Sequence, residues 1–188
     1  MIGRPIPLLI VLSLAAAACG QPAAQPGGVS PNDGSLQGAP PAPWLGAPLP
    51  ASSVPAVYRE QWNRAENRAS CALVAFDELG TAGQGATPRA ATFSGGWGVA
   101  YDLPNLRSAF GVAGAGVSAS EPAYDEWPDR MRWADGSTAG YGPEGGTGPN
   151  LLAYLRITGQ DCLYNVWSRL GREHLEQLLT SLRFVSGR

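Results

Sequence analysis

Apolar residues recur at intervals of three and four positions in two segments of the chain, which is the spacing of one face of an α-helix. The first segment begins after Ser53, a residue type favoured at a helix N-cap, with Pro55 in the opening turn. Its apolar positions are Tyr58, Trp62, Ala65 and Ala69. The second segment covers residues 172–184, and its apolar positions are Leu175, Leu178, Leu179 and Leu182. We predict a helix in each segment, the second with a leucine stripe that faces a core.

Between the two predicted helices, short apolar runs are separated by Gly, Pro, Asp and Asn, a pattern typical of strands joined by turns. The runs cover residues 97–101, 110–113, 131–134, 151–157 and 162–167. The last two flank the sequence Thr-Gly-Gln-Asp at residues 158–161, a favourable hairpin turn, so they are expected to pair antiparallel. In the first run, Gly98 and Ala100 form a small face suited to close packing of a helix. The predicted fold class is α+β: an antiparallel sheet of four to six short strands with an N-terminal and a C-terminal helix packed on one face.

The first 18 residues have the layout of an export signal. Arg4 supplies a positive charge, residues 6–18 are apolar, and small residues precede Cys19. The apolar stretch is too short to span a bilayer, which needs about 20 residues. We therefore interpret residues 1–18 as a signal peptide.

The sequence Leu-Ala-Ala-Ala-Ala-Cys at residues 14–19 resembles the lipobox of bacterial lipoprotein precursors. The resemblance implies that Cys19 is diacylated and becomes the mature N-terminus, which would anchor the protein to a membrane through acyl chains. In a cell with two membranes it implies the outer membrane, because Gly20 and Gln21 rather than aspartate follow the cysteine. The alternative is ordinary cleavage after residues 16–18, which would leave Cys19 as a free thiol.

The composition changes over residues 20–55, where proline, glycine and alanine dominate and Asp33 is the only charged residue. Such a segment buries too little apolar surface to offset the entropy of ordering it. We predict that residues 19–55 are the lipidated Cys19 and a disordered tether, in which Trp44 and Leu45 are the one bulky pair. Residues 56–188 then form a single globular domain of ordinary size, displayed in the periplasm or at the cell surface.

The chain has 3 cysteines, which is an odd number. Exported proteins seldom keep one cysteine as an unpaired, exposed thiol. If Cys19 is acylated, Cys71 and Cys162 remain as an even pair in an oxidising compartment. We predict a disulfide between them. Two buried reduced thiols, or a catalytic Cys71 assisted by His174, are the alternatives.

The charge distribution narrows the classes of function. The formal net charge is −2 and the chain contains no lysine, which excludes a basic nucleic-acid footprint, a Walker-type phosphate loop and Schiff-base chemistry. His174, the 1 histidine, is expected at the solvent border of the last helix and cannot build a His-rich metal site. We predict no cofactor, no metal and no nucleic-acid partner.

Aromatic and acidic residues alternate between residues 121 and 148. Aromatic faces stack on sugar rings and carboxylates accept hydrogen bonds from hydroxyls, so this composition is typical of a surface that binds a glycan or a peptide. The candidate binding residues are Tyr124, Asp125, Glu126, Trp127, Trp133, Asp135 and Tyr141. One alternative places the tryptophans in the core and the acids in solvent. Another is a glycan-directed envelope hydrolase that uses carboxylates of residues 121–144. We predict a non-catalytic binding or accessory module whose partner is an envelope glycan or protein.

Overall fold

The computed structural model of the protein describes residues 38–118, 127–146 and 150–187. This described part is mostly β-structure, with ten strands and two α-helices. The helices are α1 (Ala56–Arg64) and α2 (Arg172–Ser181). The strands are β1 (Leu49–Pro50), β2 (Val74–Phe76), β3 (Thr87–Ala90), β4 (Trp97–Leu103), β5 (Leu106–Gly114), β6 (Asp129–Arg132), β7 (Thr138–Pro143), β8 (Leu151–Arg156), β9 (Leu163–Ser168) and β10 (Leu182–Ser186).

The strands form two sheets. Seven of them make an antiparallel sheet in the order β3-β4-β5-β9-β8-β7-β6, and in the small sheet β10 lies between β1 and β2. The small sheet is mixed, because β10 runs parallel to β1 and antiparallel to β2. All five predicted runs overlap strands of the large sheet, and β8 and β9 are antiparallel neighbours as predicted. The predicted total of four to six strands is too low, because the sequence pattern did not reveal the short strands β1, β2 and β3, or β7 and β10.

The core lies between one face of the large sheet and a second layer that contains both helices and the small sheet. Tyr101 and Phe110 are cross-strand partners whose rings stack with centroids 4.7 Å apart. Phe76 of the small sheet packs against both rings. The four leucines of the predicted stripe are all fully buried, each contributing about 1.5 to 3 kcal/mol by burial. The helices therefore share their layer with β-structure, which differs from the predicted arrangement.

Both helices are shorter than predicted. The first ends at Arg64 because Ala65 has an extended backbone, and a 3-10 turn covers Glu66–Ala69. The second ends at Ser181, and Leu182 pairs with Phe76 as the first residue of β10. The leucine stripe thus continues from the helix into the strand, and Leu182 is buried in the core although it belongs to β10.

The folded part of the chain begins before residue 56. A 3-10 turn covers Pro43–Leu45, and its Trp44 is 2% exposed. The carbonyl oxygen of Pro40 accepts a hydrogen bond from the Ala134 N–H at 2.9 Å. The composition predicts a disordered tether for residues 38–55, whereas the structure packs Pro40 and Trp44 of this segment against the domain. Proline restricts the unfolded chain, so ordering this segment costs less entropy than an average sequence would.

Cys71 and Cys162 lie at disulfide distance, with Cα atoms 4.9 Å apart. Their separation of 91 residues joins the end of the first helical region to the start of β9. The Trp62 indole N–H donates to the Cys71 carbonyl oxygen at 2.8 Å, which ties the end of α1 to the backbone at the disulfide. The predicted cysteine pair is confirmed as a pair in space.

Candidate functional site

Four aromatic side chains lie across the outer face of the large sheet, opposite the core. Phe93 lies on the β3–β4 connection, Trp127 lies two residues before the start of β6, and Tyr154 and Trp167 belong to β8 and β9. The ring centroids of Phe93 and Trp167 are 6.1 Å apart, and those of Trp127 and Tyr154 are 5.5 Å apart. Each side chain is half-buried. We call these four residues the aromatic strip.

Three of the four rings lie over strand glycines. A Cβ atom at Gly98 would approach Phe93 to 2.7 Å, and one at Gly142 would approach Trp127 to 2.8 Å. A Cβ atom at Gly111 would come closer still to Trp167. Any other residue at these positions would therefore push a ring away from the sheet. The small face predicted for helix packing at Gly98 is covered by an aromatic ring, which is a known way to protect a strand glycine.

A cleft of about 430 Å³ opens beside Phe93 and Trp167. This volume is within the range of small-ligand sites, roughly 300 to 1,000 Å³. Its walls combine aromatic, aliphatic and polar side chains. They include Leu152, Asn150, Asn165, Arg169, Ser108 and Glu144.

The polar groups of the cleft are held in place by the surrounding strands. Arg169 donates from Nε to Asn150 Oδ1 at 3.0 Å and from Nη1 to the Arg107 carbonyl oxygen at 2.9 Å. Within the described residues, the buried Oδ1 of Asn165 has no hydrogen-bond partner. A buried acceptor left unpaired costs about 1 to 3 kcal/mol. Asn165 therefore keeps an unused acceptor at the wall of the cleft.

Ser108, on the rim of the cleft, has the left-handed backbone angle φ 50°. Asp102 holds it there: Asp102 Oδ1 accepts the Ser108 N–H at 2.7 Å, and Asp102 Oδ2 accepts from Arg89 Nε at 2.8 Å. These bonds, the Ser108 N–H first, lower the pKa of Asp102 below its ordinary value. Strained backbone that is fixed by several bonds in this way is common at functional sites.

The predicted binding residues do not form one surface in the described part of the chain. Trp133 is 1% exposed and packs edge-on against Trp44, with centroids 4.9 Å apart, so it has no free face for a ligand. Asp135 accepts the Trp44 indole N–H at 2.8 Å and two hydrogen bonds from Ser137. Partial burial acts to raise the pKa of Asp135, but these hydrogen bonds lower it below its ordinary value. Both residues hold the N-terminal segment.

Tyr141 faces the core side of the sheet. Its hydroxyl donates to Glu176 Oε1 at 2.7 Å, and the Arg172 guanidinium lies 5.6 Å from its ring centroid. Burial, and then the Glu176 carboxylate, raise the pKa of Tyr141 to about 12. Trp127 alone among the described candidates lies on the outer face. Tyr124, Asp125 and Glu126 lie outside the described residues.

His174 is buried and not at a solvent border as expected, with 3% of its surface exposed. Its Nε2 bonds the Leu79 carbonyl oxygen and its Nδ1 bonds Ser168 Oγ, both at 2.9 Å. The first contact requires an N–H at Nε2, so the neutral ring accepts the Ser168 hydroxyl at Nδ1. Burial lowers the pKa of His174 in agreement with a neutral ring. Ser168 is also fully buried, so this Ser–His contact has a structural role.

The described ranges contain no group of three or more His, Cys, Asp and Glu side chains that could hold a metal ion. No helix in the same ranges is long and apolar enough to cross a membrane. Comparison of the chain with protein-family models, curated proteins and solved structures gave no match.

Sequence reasoning missed Phe93, Trp167 and the cleft between them. Glycines inside the predicted strands, at positions 98 and 111, were an available signal, because a strand glycine often marks the close approach of another group. The ring that covers each glycine depends on strand order and register, which the hydrophobic pattern does not specify.

Proposed function

We propose that this protein is a lipid-anchored lipoprotein of the cell envelope whose outer sheet face binds an envelope glycan without catalysis. The observation that carries the proposal is the aromatic strip beside a polar cleft. The lipobox-like sequence at residues 14–19 supports the anchor, with Cys19 acylated and the domain held at the membrane through the chain that precedes residue 38. In a cell with two membranes, the residues after Cys19 favour the outer one.

The chemistry of the cleft suits a sugar ring. A pyranose has an apolar face of C–H groups and an edge of hydroxyls, so it needs a ring to stack on and polar groups around its rim. Phe93 and Trp167 supply the rings. Asn165 and Arg169 offer amide and guanidinium groups beside them, and Glu144 contributes a carboxylate. Each sugar hydroxyl can both donate and accept, so a sugar can form hydrogen bonds with the polar side chains that line the cleft.

The positions of the described carboxylates favour binding over hydrolysis. Glycoside hydrolysis generally uses two carboxyl groups on either side of the scissile bond, about 5 to 9.5 Å apart. Asp129 pairs with Arg172 on the core side of the sheet, and Asp135 is bound by Trp44. Glu144 is the carboxylate that lines the cleft within the described ranges. The envelope hydrolase is retained as an alternative outcome of the experiment below.

The experiment measures binding of the full-length protein, purified in mild detergent, to polysaccharide extracted from the host envelope. Trp167→Ala is expected to weaken binding at least tenfold, because an aromatic contact is worth about 0.5 to 1.5 kcal/mol beyond its buried area. Trp62→Ala is the matched control, since Trp62 is also half-buried but lies near the disulfide.

Trp62 supports the fold through its hydrogen bond, so a loss of binding caused by destabilisation would appear in the control as well. Equal binding by wild type and Trp167→Ala, or no binding by wild type, contradicts the proposal. Release of reducing ends from the polysaccharide would establish the hydrolase instead.

A further inference from the structure

Three arginines lie together on the outer face, at the edge of the large sheet. Arg130 and Arg132 belong to the edge strand β6 and Arg156 to β8. All three line one small cleft of about 40 Å³, with Thr138 and Gly140 of β7 between the two strands. We call these three residues the arginine cluster.

Strand register places the cluster beside the aromatic strip. Arg130 is paired with Gly140, which is paired with Tyr154 of the strip. Arg132 is aligned in the same way with Arg156, through Thr138. Residues two apart on a strand have Cα atoms about 7 Å apart, and positions two strands apart are about 10 Å apart. An extended ligand on the strip therefore reaches the cluster.

The two β6 arginines of the cluster have no acidic partner among the described residues. Arg130 and Arg132 are exposed, and neither has an ion pair or hydrogen bond with the residues that the structure describes. Arg89 and Arg172, by contrast, are each paired with an aspartate. Neighbouring positive charges repel unless an anion lies between them, and the guanidinium fork suits a carboxylate or phosphate group.

We propose that the arginine cluster binds an oxyanion group, phosphate or carboxylate, of the glycan held on the aromatic strip. The envelope ligand is thus an anionic glycan. The rings supply affinity for the sugar, and the arginines select chains that carry negative charge. This inference rests on the proposed function, because it names the class of ligand that the same face takes.

The test separates envelope polysaccharide by anion exchange into a neutral and an anionic fraction and measures binding of each to the full-length protein. Arg130→Gln/Arg132→Gln is expected to lose at least about tenfold in affinity for the anionic fraction and to leave the neutral fraction unchanged. Wild-type binding of the anionic fraction should weaken as NaCl is raised from about 0.05 M to about 0.5 M, because salt screens these charges. Arg59→Gln/Arg68→Gln removes the same charge from another surface and should bind like wild type.

The experiment gives different results when the anionic specificity is wrong and when glycan binding itself is wrong. Equal binding of both fractions, or equal loss in the two double variants, overturns the anionic specificity and leaves the glycan site standing. Absence of binding to either fraction overturns both. A third arm uses vesicles of phosphatidylglycerol: binding to them through Arg130 and Arg132, with no preference between the polysaccharide fractions, would assign the oxyanion site to lipid headgroups and contradict the glycan source.

Discussion

Replacing Trp44 tests how the N-terminal segment is attached to the domain. The Trp44 side chain is almost fully buried, stacks edge-on against Trp133, and donates its indole N–H to Asp135 at 2.8 Å. Trp→Ala substitutions at buried sites cost about 3 to 5 kcal/mol. Trp44→Phe should cost less stability, because Asp135 keeps its two hydrogen bonds from Ser137. This variant loses part of the ring and the indole hydrogen bond, which is worth about 1.5 to 3 kcal/mol.

Because Trp44 lies near the start of the described chain, its loss is expected to release the segment locally as well as to lower global stability. The Ala134 N–H, which donates to Pro40, reports local release in hydrogen exchange. Urea unfolding reports the global free energy. Leu45→Ala is the matched control, because Leu45 is 68% exposed and should change stability by less than about 0.5 kcal/mol.

We predict faster Ala134 exchange and a lower urea midpoint for Trp44→Ala, and wild-type behaviour for Leu45→Ala. Unchanged Ala134 exchange in Trp44→Ala, or equal effects of the two variants, would refute the idea that residues 38–55 belong to the folded domain.

Three further predictions concern the interior and the site. Cys71→Ala/Cys162→Ala should lower the free energy of unfolding by roughly 4 kcal/mol in urea, since the bridge closes a long loop; a loss below about 1 kcal/mol would contradict this. Burial lowers the pKa of His174 in the folded protein, so the unfolded chain, in which the histidine pKa is about 6.5, binds the proton more readily. The free energy of unfolding is therefore highest above that pH and decreases as the pH falls below it. The urea midpoint should thus drop between about pH 7.5 and 5.5, a window above the titration of the carboxylates, and the drop should vanish in His174→Gln. Gly98→Ala should displace the Phe93 ring, which the new Cβ atom would approach to 2.7 Å, and weaken glycan binding while the chain stays folded by circular dichroism; retained binding would count against the aromatic strip.

Local patterns in the sequence were sufficient for some elements and not for others. The hairpin turn at residues 158–161 and the leucine stripe of α2 are encoded within a few neighbouring residues, and both are present. The sequence pattern predicts a helix through residue 184 where β10 begins, because Leu182 continues the helical spacing while its hydrogen-bond partners lie on β2, far along the chain. Trp44 looked like part of a tether because its partner Asp135 is 91 positions away.

The candidate site shows the same limit. Aromatic and acidic residues near position 130 formed a plausible surface by composition, yet alternation along a strand sends neighbours to opposite faces. Trp133 and Tyr141 turn to the core side, whereas Arg130 and Arg132 turn outward. The aromatic strip is assembled from four separate parts of the chain by the strand order, and only the tertiary structure brings them together.

The most direct test of the glycan-binding face uses the 6 tryptophans as probes. In a ¹⁵N–¹H spectrum of the protein, each indole N–H gives one signal that can be followed while unfractionated envelope polysaccharide is added. We predict that the signals of Trp127 and Trp167 shift, while those of the buried Trp44, Trp97 and Trp133 do not. A shift confined to Trp62, near the disulfide, or no shift at saturating polysaccharide, would contradict the assignment of the outer sheet face as the binding surface.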